Sequence, residues 1–169
     1  MLQQITRDKA ERIKDFVYGA SDGIITTFAI VAGVAGAGLS TSIILILGFA
    51  NLFADGFSMA SSDYLGTETE LEVEHRAQKS RALKSGVITF VAFVIGGLVP
   101  LIPSIFFRGG GIFRSTIVAT ALALFVVGAL RGIFVKKHFI RTALETLAVG
   151  GVAAAIAFFV GWLLESIVV

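Results

Sequence analysis

The sequence contains no cysteine, and only two of its 169 residues are histidine. Without cysteine the chain has no disulfide framework, no thiolate metal site and no redox dithiol. The histidines, His75 and His138, both lie in polar segments between apolar runs, so no Ser/His/Asp set can assemble within those runs. We therefore do not expect an enzyme. No feature of the sequence indicates a nucleic-acid partner.

Charge is also scarce. Charged residues make up 15% of the chain and apolar residues 56%, with a mean hydropathy of +0.89. This composition lies outside the range of soluble domains and indicates an integral membrane protein. A membrane-spanning helix needs about 20 mostly apolar residues. We predict an all-α membrane protein with five transmembrane helices per subunit, at about residues 16–38, 43–66, 84–106, 113–135 and 142–165.

The first fifteen residues, "MLQQITRDKAERIKD", are charged and helical in pattern, so we expect no cleavable signal peptide. Two interpretations of this segment stay open. It can form an amphipathic helix at the membrane surface, or a solvated helical tail. We divide the chain into an N-terminal amphipathic helix, 1–15, and a transmembrane domain, 16–169, with a short charged loop at about 67–83. In the surface helix, the residues facing lipid headgroups would be Leu2, Ile5, Ile13 and Phe16.

The basic residues predict the orientation. Only Arg108 and Arg114 fall on one side of a five-span arrangement. By the positive-inside rule, the N-terminus and the 67–83 loop are therefore cytoplasmic and the C-terminus lies on the opposite side. The basic residues assigned to the cytoplasmic side are Arg7, Lys9, Arg12, Lys14, Arg76, Lys79, Arg81, Lys84, Arg131, Lys136, Lys137 and Arg141.

The first span contains two carboxylates, Asp15 and Asp22, seven residues apart and therefore on one helix face. Gly19 and Thr26 fall near the same stripe. A carboxylate inside a span costs about 2.5–3.5 kcal/mol on insertion scales, so it marks a functional site by default. The alternative for Asp22 is a structural hydrogen bond to a hydroxyl of a neighbouring helix.

The second span carries a polar stripe with four-residue spacing: Asn51, Asp55, Met59 and Asp63. Ser58 and Ser62 add hydroxyl groups near it. Oxygen ligands combined with a thioether suit a borderline metal such as Fe(II) better than Mg²⁺ or Ca²⁺, which prefer oxygen alone. A methionine taken alone is more often a packing residue.

These two spans, "DFVYGASDGIITTFAIVAGVAGAG" and "GFANLFADGFSMASSDYLG", resemble the first two membrane helices of the vacuolar iron transporter family. "FVIGGLVPLIPSIF" resembles the third helix of that family. "LFVVGALRGIF" and "TALETLAVGGVAAAIAFFVGWLL" resemble its last two helices. The resemblance extends over about residues 12–165.

The resemblance implies a homodimer with five spans per subunit, embedded in a lipid bilayer. Such a dimer moves Fe(II), and often Mn(II), out of the cytosol in exchange for protons, and it needs no resident cofactor. Its pathway lies at the dimer interface and is lined by the first two helices of each subunit. By position, Asp22 matches the transport carboxylate, Asp15 the cytoplasmic-end carboxylate and Met59 the pathway methionine.

The chain departs from the family pattern at two places. Iron-transporting members often carry Glu where this chain has Asn51. Many members also insert a Glu-rich, Met-containing helical domain between spans two and three, where this chain has only "TETELEVEHRAQKSR". That segment is either a solvated charged helix or a weak cytoplasmic capture site that attracts cations. The residues of the capture site would be Glu68, Glu70, Glu72, Glu74 and His75.

Two further alternatives stay open. The same polar stripe could serve a transporter or channel for another small ion or solute. The short loop favours the plasma membrane of a prokaryote, and a vacuolar membrane is the alternative location.

Overall fold

The computed structural model describes the backbone of residues 2–75, 78–107 and 111–168, and the side chains of 9–75, 78–107 and 111–167. These segments form five helices, and each helix is long and apolar enough to cross a membrane. No strand occurs in the described segments. The predicted all-α, five-span fold is therefore confirmed, while the side on which each terminus lies stays a prediction. The helices are α1 (Leu2–Gly36), α2 (Thr41–Val73), α3 (Lys79–Phe106), α4 (Ile112–Phe134) and α5 (Phe139–Val168).

Several helices run beyond the apolar sequence that predicts them. The N-terminal segment and the first span form one continuous helix, α1. Contacts of Leu2, Ile5 and Arg7 lie outside the described side chains, so the surface position of residues 1–15 stays a prediction. Helix α2 continues to Val73 because no Gly or Pro interrupts residues 67–78. It ends where His75 adopts a left-handed backbone conformation, with φ of 55°.

Helix α1 is the centre of the bundle and contacts each of the other four helices. Its most extensive contact is with α3, whereas α2 packs mainly against α3 and touches α1 over a smaller area. Glycines allow the close approach of α1 and α3. A Cβ added at Gly23 would lie 2.2 Å from the Phe93 carbonyl oxygen, and one at Gly96 would lie 2.6 Å from the Ala20 carbonyl oxygen.

Helices α4 and α5 pack against each other through a second pair of glycines. A Cβ at Gly128 would lie 2.7 Å from the Ala143 Cα, and one at Gly132 would lie 2.8 Å from the Phe139 Cα. Small residues thus bring α4 and α5 together at these positions. Gly151 of α5 takes no part in such a contact between the described helices, because an added Cβ there would meet no atom within 4 Å.

Apolar side chains fill the space between the helices in two clusters. One joins α1, α2 and α3 and includes Phe28, Leu52 and Phe93. The other joins α1, α3 and α4 and includes Ile24 and Leu124. Because lipid tails are as apolar as these side chains, the clusters stabilise the bundle through close packing rather than through exclusion of water.

Candidate functional site

Two groups of polar side chains lie between the first three helices at different depths. The first, here called the three-helix cluster, consists of Asp15, Asp63, Ser85 and Thr89. The second, here called the α1–α2 pair, consists of Asp22 and Asp55. Asp22 follows Asp15 by seven residues along α1, which corresponds to a rise of about 10 Å.

In the three-helix cluster, one hydroxyl bridges two carboxylates. Ser85 Oγ lies 2.6 Å from Asp15 Oδ2 and 2.9 Å from Asp63 Oδ2, and Thr89 Oγ1 donates to Asp63 Oδ2 at 2.8 Å. Asp15 is only 3% exposed. A serine hydroxyl has one proton, so it can donate to only one carboxylate at a time.

A cavity of about 120 Å³ adjoins this cluster, and Asp15 and Ser85 form part of its wall. The rest of its wall is polar or charged and consists of Glu11, Arg12, Gln78, Ser80, Arg81 and Lys84. Among these residues, Arg81 of α3 donates two parallel hydrogen bonds to Glu11 of α1. One runs from Nε to Oε2 at 2.9 Å and the other from Nη2 to Oε1. The cavity thus places polar space beside a carboxyl that is otherwise buried.

The α1–α2 pair has no comparable set of hydroxyl partners. Asp22 and Asp55 are both half-buried, and they are close enough to interact through their charges. One turn further along α1, Asn51 Nδ2 donates to Thr26 Oγ1 at 3.4 Å, and Thr26 Oγ1 donates to the Asp22 carbonyl oxygen at 2.9 Å. Two like charges that interact between apolar helices repel each other, so this pair is suited to binding a proton or a cation.

The remaining residues of the predicted pathway have different surroundings. Met59 is half-buried and packs against the apolar cluster of α1, α2 and α3. Gly19 faces α3, where an added Cβ would lie 2.5 Å from the Thr89 carbonyl oxygen, so it serves the α1–α3 contact. Ser58 and Ser62 are exposed on α2, and Ser62 Oγ donates to the Ser58 carbonyl oxygen at 2.9 Å.

Among residues 9–75, 78–107 and 111–167, no group of three His, Asp or Glu side chains could hold a metal ion. Asp22 and Asp55 offer two carboxylates, whereas octahedral metals such as Mn(II) take about six ligands. Further ligands would have to come from water, from neutral side chains or from a second subunit.

The charged end of α2 extends beyond the predicted span. Tyr64 donates its hydroxyl to Glu68 at 3.2 Å, while Glu70, Glu72 and His75 are exposed. Glu74 follows the last residue of the helix, and its amide donates to the Glu70 carbonyl oxygen at 3.0 Å. The four-residue spacing of Glu72 and Arg76 predicts a salt bridge between them, but Arg76 lies outside the described residues. Metal capture by these acidic residues stays a prediction.

Sequence reasoning missed the contribution of α3. Ser85 and Thr89 are the residues that hold Asp15 and Asp63, and they lie four residues apart on one face of α3. This spacing in an apolar run could have indicated a polar face. Nothing in the sequence shows that the face meets the carboxylates of two other helices.

Comparison with known proteins points to one family. The profile of the VIT family matches residues 13–82 and 70–162. The chain is 27% identical over 213 positions to vacuolar iron transporter 1 of Eucalyptus grandis and 26% over 210 positions to that of Arabidopsis thaliana. Each alignment covers 88% of this chain and 84% of the relative. Vacuolar iron transporter homolog 4 of Arabidopsis thaliana is 26% identical over 172 positions, covering 92% of this chain and 87% of the relative.

The alignment lengths differ between these relatives. Those with the two vacuolar iron transporters exceed the 169 residues of the chain, so both relatives contain residues without a counterpart here. The two matched segments of the family profile overlap at 70–82, where α2 ends and α3 begins. This is the junction at which we expect other family members to carry an inserted domain.

Proposed function

Because the chain belongs to the VIT family, we propose that it exchanges Fe(II), and also Mn(II), for protons across a membrane. The observation that carries the proposal is the Asp22–Asp55 pair, two half-buried carboxylates on neighbouring membrane helices. Placing an ionisable group inside a membrane-spanning helix costs free energy, and such groups mark ion pathways. The role is that of a transporter rather than an enzyme.

Transport out of the cytosol has to be driven. Moving a divalent cation out of a negative-inside compartment costs roughly 4.6 kcal/mol per 100 mV, twice the value for one charge. Two protons moving inward for each metal ion would make the cycle electroneutral. Proton entry would then supply the free energy for metal export.

Asp22 is the residue that we assign to the exchange. A carboxylate must lose its proton before it binds a metal, so metal and proton compete directly at one side chain. The nearby charge of Asp55 strengthens the attraction for either cation. Because the Asp22 carboxylate binds either a proton or the metal, this one side chain couples the two fluxes.

A homodimer would complete the site. The α1–α2 pair is half-buried in a single chain and has two carboxylates. If α1 and α2 meet their counterparts in a second subunit, four carboxylates converge and the polar face leaves the lipid. Membrane helices with polar groups on one face favour association that buries those groups.

Met59 and Asn51 would set the choice of metal. The Met59 sulfur is a soft ligand and favours Fe(II) over the harder Mn(II). Asn51 supplies an amide in place of the carboxylate that iron-transporting members often carry, which lowers the negative charge of the site. We therefore propose that the site carries both metals. Separately, we propose that the protein lies in the plasma membrane of a prokaryote.

The experiment is metal influx into proteoliposomes that contain a metal-sensitive dye. Asp22→Asn keeps the side-chain size and removes the charge, so influx should fall at least about tenfold, as for loss of a metal ligand. Glu165→Gln makes the same chemical change at an exposed residue of α5, away from the α1–α2 pair, and should leave influx unchanged.

Three results would weigh against the proposal. Equal influx in wild type and Asp22→Asn would remove Asp22 from the pathway. An equal loss in Glu165→Gln would indicate a general effect of charge. No metal influx in the wild type, with leakage of another ion or solute, would favour a transporter or channel of a different specificity on the same polar stripe.

A further inference from the structure

A groove of about 950 Å³ runs between α1, α4 and α5, outside the site described above. It lies on the α1 face that carries Val17, Ser21 and Ile25, and neither Asp15 nor Asp22 lines it. Its volume falls within the range of small-molecule binding sites. Because its walls belong to membrane-spanning helices, its occupant must be a molecule that resides in the bilayer.

The groove has two chemically distinct ends. Four basic side chains line one end: Lys9, Lys14, Arg131 and Lys136. Beyond them the walls are largely apolar. Glu145 is the one acidic residue among the lining residues, and it accepts a hydrogen bond from Arg141 Nε at 3.2 Å, which offsets its charge.

The turn after α4 fixes one side of the basic end. The Lys136 amide donates to the Ile133 carbonyl oxygen at 3.2 Å, and the Lys137 amide donates to the Gly132 carbonyl oxygen at 2.9 Å. These bonds close the helix end in a tight cap, with Lys136 in the left-handed conformation at φ of 54°. The backbone that carries Lys136 is therefore an ordered turn at the basic end of the groove.

The length of the groove matches one leaflet of a bilayer. The lining residues of α1 run from Lys9 to Ile25, sixteen residues along the helix, or about 24 Å. Half of a bilayer, from headgroup surface to midplane, is about 20–22 Å thick. A lipid whose phosphate meets the basic end would thus have its acyl chain along the apolar walls as far as the midplane.

We propose that this groove binds one anionic phospholipid. Its phosphate group contacts Lys9, Arg131 and Lys136, and one acyl chain lies along Val17 and Val149. A soluble anion would gain nothing from the apolar walls, and a zwitterionic lipid offers no net charge to the four cationic groups. A second copy of the chain would bring like charges together at the basic end.

The test compares phosphatidylglycerol with phosphatidylcholine of identical acyl chains. Binding to the purified full chain is measured by native mass spectrometry and by the shift in thermal unfolding temperature. We expect phosphatidylglycerol to be retained and to stabilise the protein. Arg131→Gln with Lys136→Gln should weaken its binding about tenfold, since each basic residue adds to the attraction for anionic lipid.

A matched pair separates the groove from general surface charge. Lys79→Gln with Lys84→Gln removes the same charge from exposed residues of α3, a helix that does not line the groove. These changes should weaken binding less than about twofold, because exposed charges at a distance are screened by salt. Equal weakening by both pairs, or equal binding of the two lipids, would overturn the proposal.

A second pair of variants tests the apolar part without a change in charge. Val149→Trp fills the groove, whereas Val152→Trp makes the same substitution at an exposed residue of α5 that does not line it. Only Val149→Trp should reduce retention of phosphatidylglycerol. Retention that is unchanged in Val149→Trp would show that the lipid does not occupy the groove.

Discussion

At the scale of single residues, the carboxylates of the first span meet their environment in two ways. Asp15 is buried and hydrogen-bonded to Ser85, which also contacts Asp63. Asp22 is half-buried and lies near the like charge of Asp55. The side chains of Asp15 and Asp63 have hydroxyl partners within the protein, whereas no hydrogen bond of the Asp22 or Asp55 carboxylate occurs among the described residues, so this second pair is free to attract a cation. This contrast is why we assign exchange to Asp22 rather than to Asp15.

Removal of the bridging hydroxyl should destabilise the bundle. In Ser85→Ala, Asp15 and Asp63 lose a shared donor, and a hydrogen bond to a charged group contributes about 1.5–3 kcal/mol. We expect the thermal unfolding temperature in detergent to fall by about 5 °C. Ser85→Thr keeps the hydroxyl, so its unfolding temperature should lie close to that of the wild type.

Ser61→Ala is the matched control for Ser85→Ala, because the Ser61 hydroxyl donates only to the Phe57 carbonyl oxygen of its own helix. It should leave the unfolding temperature nearly unchanged. An equal fall in both variants would mean that the bridge between helices contributes nothing beyond an ordinary local hydrogen bond.

Met59 can be tested for ligand and packing roles separately. Met59→Leu keeps an apolar side chain of similar volume against the cluster of Phe28 and Phe93 but removes the sulfur. We expect unchanged thermal stability, Fe(II) influx lowered about tenfold and a smaller effect on Mn(II), which depends less on a soft ligand. Fe(II) influx at the wild-type rate would assign Met59 to packing alone.

At the scale of helices, the number and order of the spans followed from hydropathy, but their contacts did not. Five apolar runs predicted five helices, because a bilayer admits only helices or closed barrels. The polar stripe of α2 was also predicted from its four-residue spacing. Spacing shows which residues share a face and not which helix meets that face, so the contact of Asp63 with Ser85 and Thr89 could not be predicted.

The ends of the helices were predicted less well for a related reason. Hydropathy detects the part of a helix that lies in lipid, whereas the backbone remains helical in water until a residue interrupts it. Helix α2 therefore continues through Glu68, Glu70 and Glu72 beyond its apolar run. These residues favour helix intrinsically, and no Gly or Pro follows before residue 78.

The close contact between helices α4 and α5 can be tested by a substitution at Gly128. Gly128→Ala would place a Cβ 2.7 Å from the Ala143 Cα and 2.8 Å from the Thr142 carbonyl oxygen, so the two helices must separate. We expect a loss of about 1–3 kcal/mol, measured by thermal unfolding in detergent.

Gly151→Ala is the control for this change, since an added Cβ there meets no atom within 4 Å. It should be neutral or slightly stabilising, because alanine favours helix more than glycine does. A Gly128→Ala variant as stable as Gly151→Ala would contradict the close packing of α4 and α5.

At the scale of the whole molecule, one polar face of the bundle is only partly covered by the helices of the same chain. Helix α1 is central, and α2 packs mainly against α3, so the side chains of Asp22 and Asp55 are only half-buried. Both flanks expose apolar residues, such as Phe57 on α2 and Val152 on α5. The half-buried carboxylates Asp22 and Asp55 lie only on the α1–α2 flank, so α1 and α2 are our proposed dimer contact.

Because the chain has no cysteine, the proposed dimer contact can be mapped with single introduced cysteines. Ser58 is exposed on α2 near Asp55, and Val152 is 61% exposed on α5. We expect Ser58→Cys to give a disulfide-linked dimer in membranes under mild oxidation and Val152→Cys to remain monomeric on a denaturing gel. Cross-linking at Val152 without cross-linking at Ser58 would place α5 at the contact instead.

We propose that metal and protons compete at Asp22. Simultaneous recording of the metal flux and the proton flux tests this competition. Proteoliposomes containing a pH-sensitive dye and a metal-sensitive dye would be given Fe(II) outside, with and without an imposed proton gradient. Protons should leave as Fe(II) enters, and a proton gradient directed outward should drive Fe(II) uptake. Lower external pH should slow that uptake, because a protonated carboxylate binds no metal. Asp22→Asn should abolish both fluxes, whereas Fe(II) influx without proton movement, or coupled fluxes that persist in Asp22→Asn, would contradict the account.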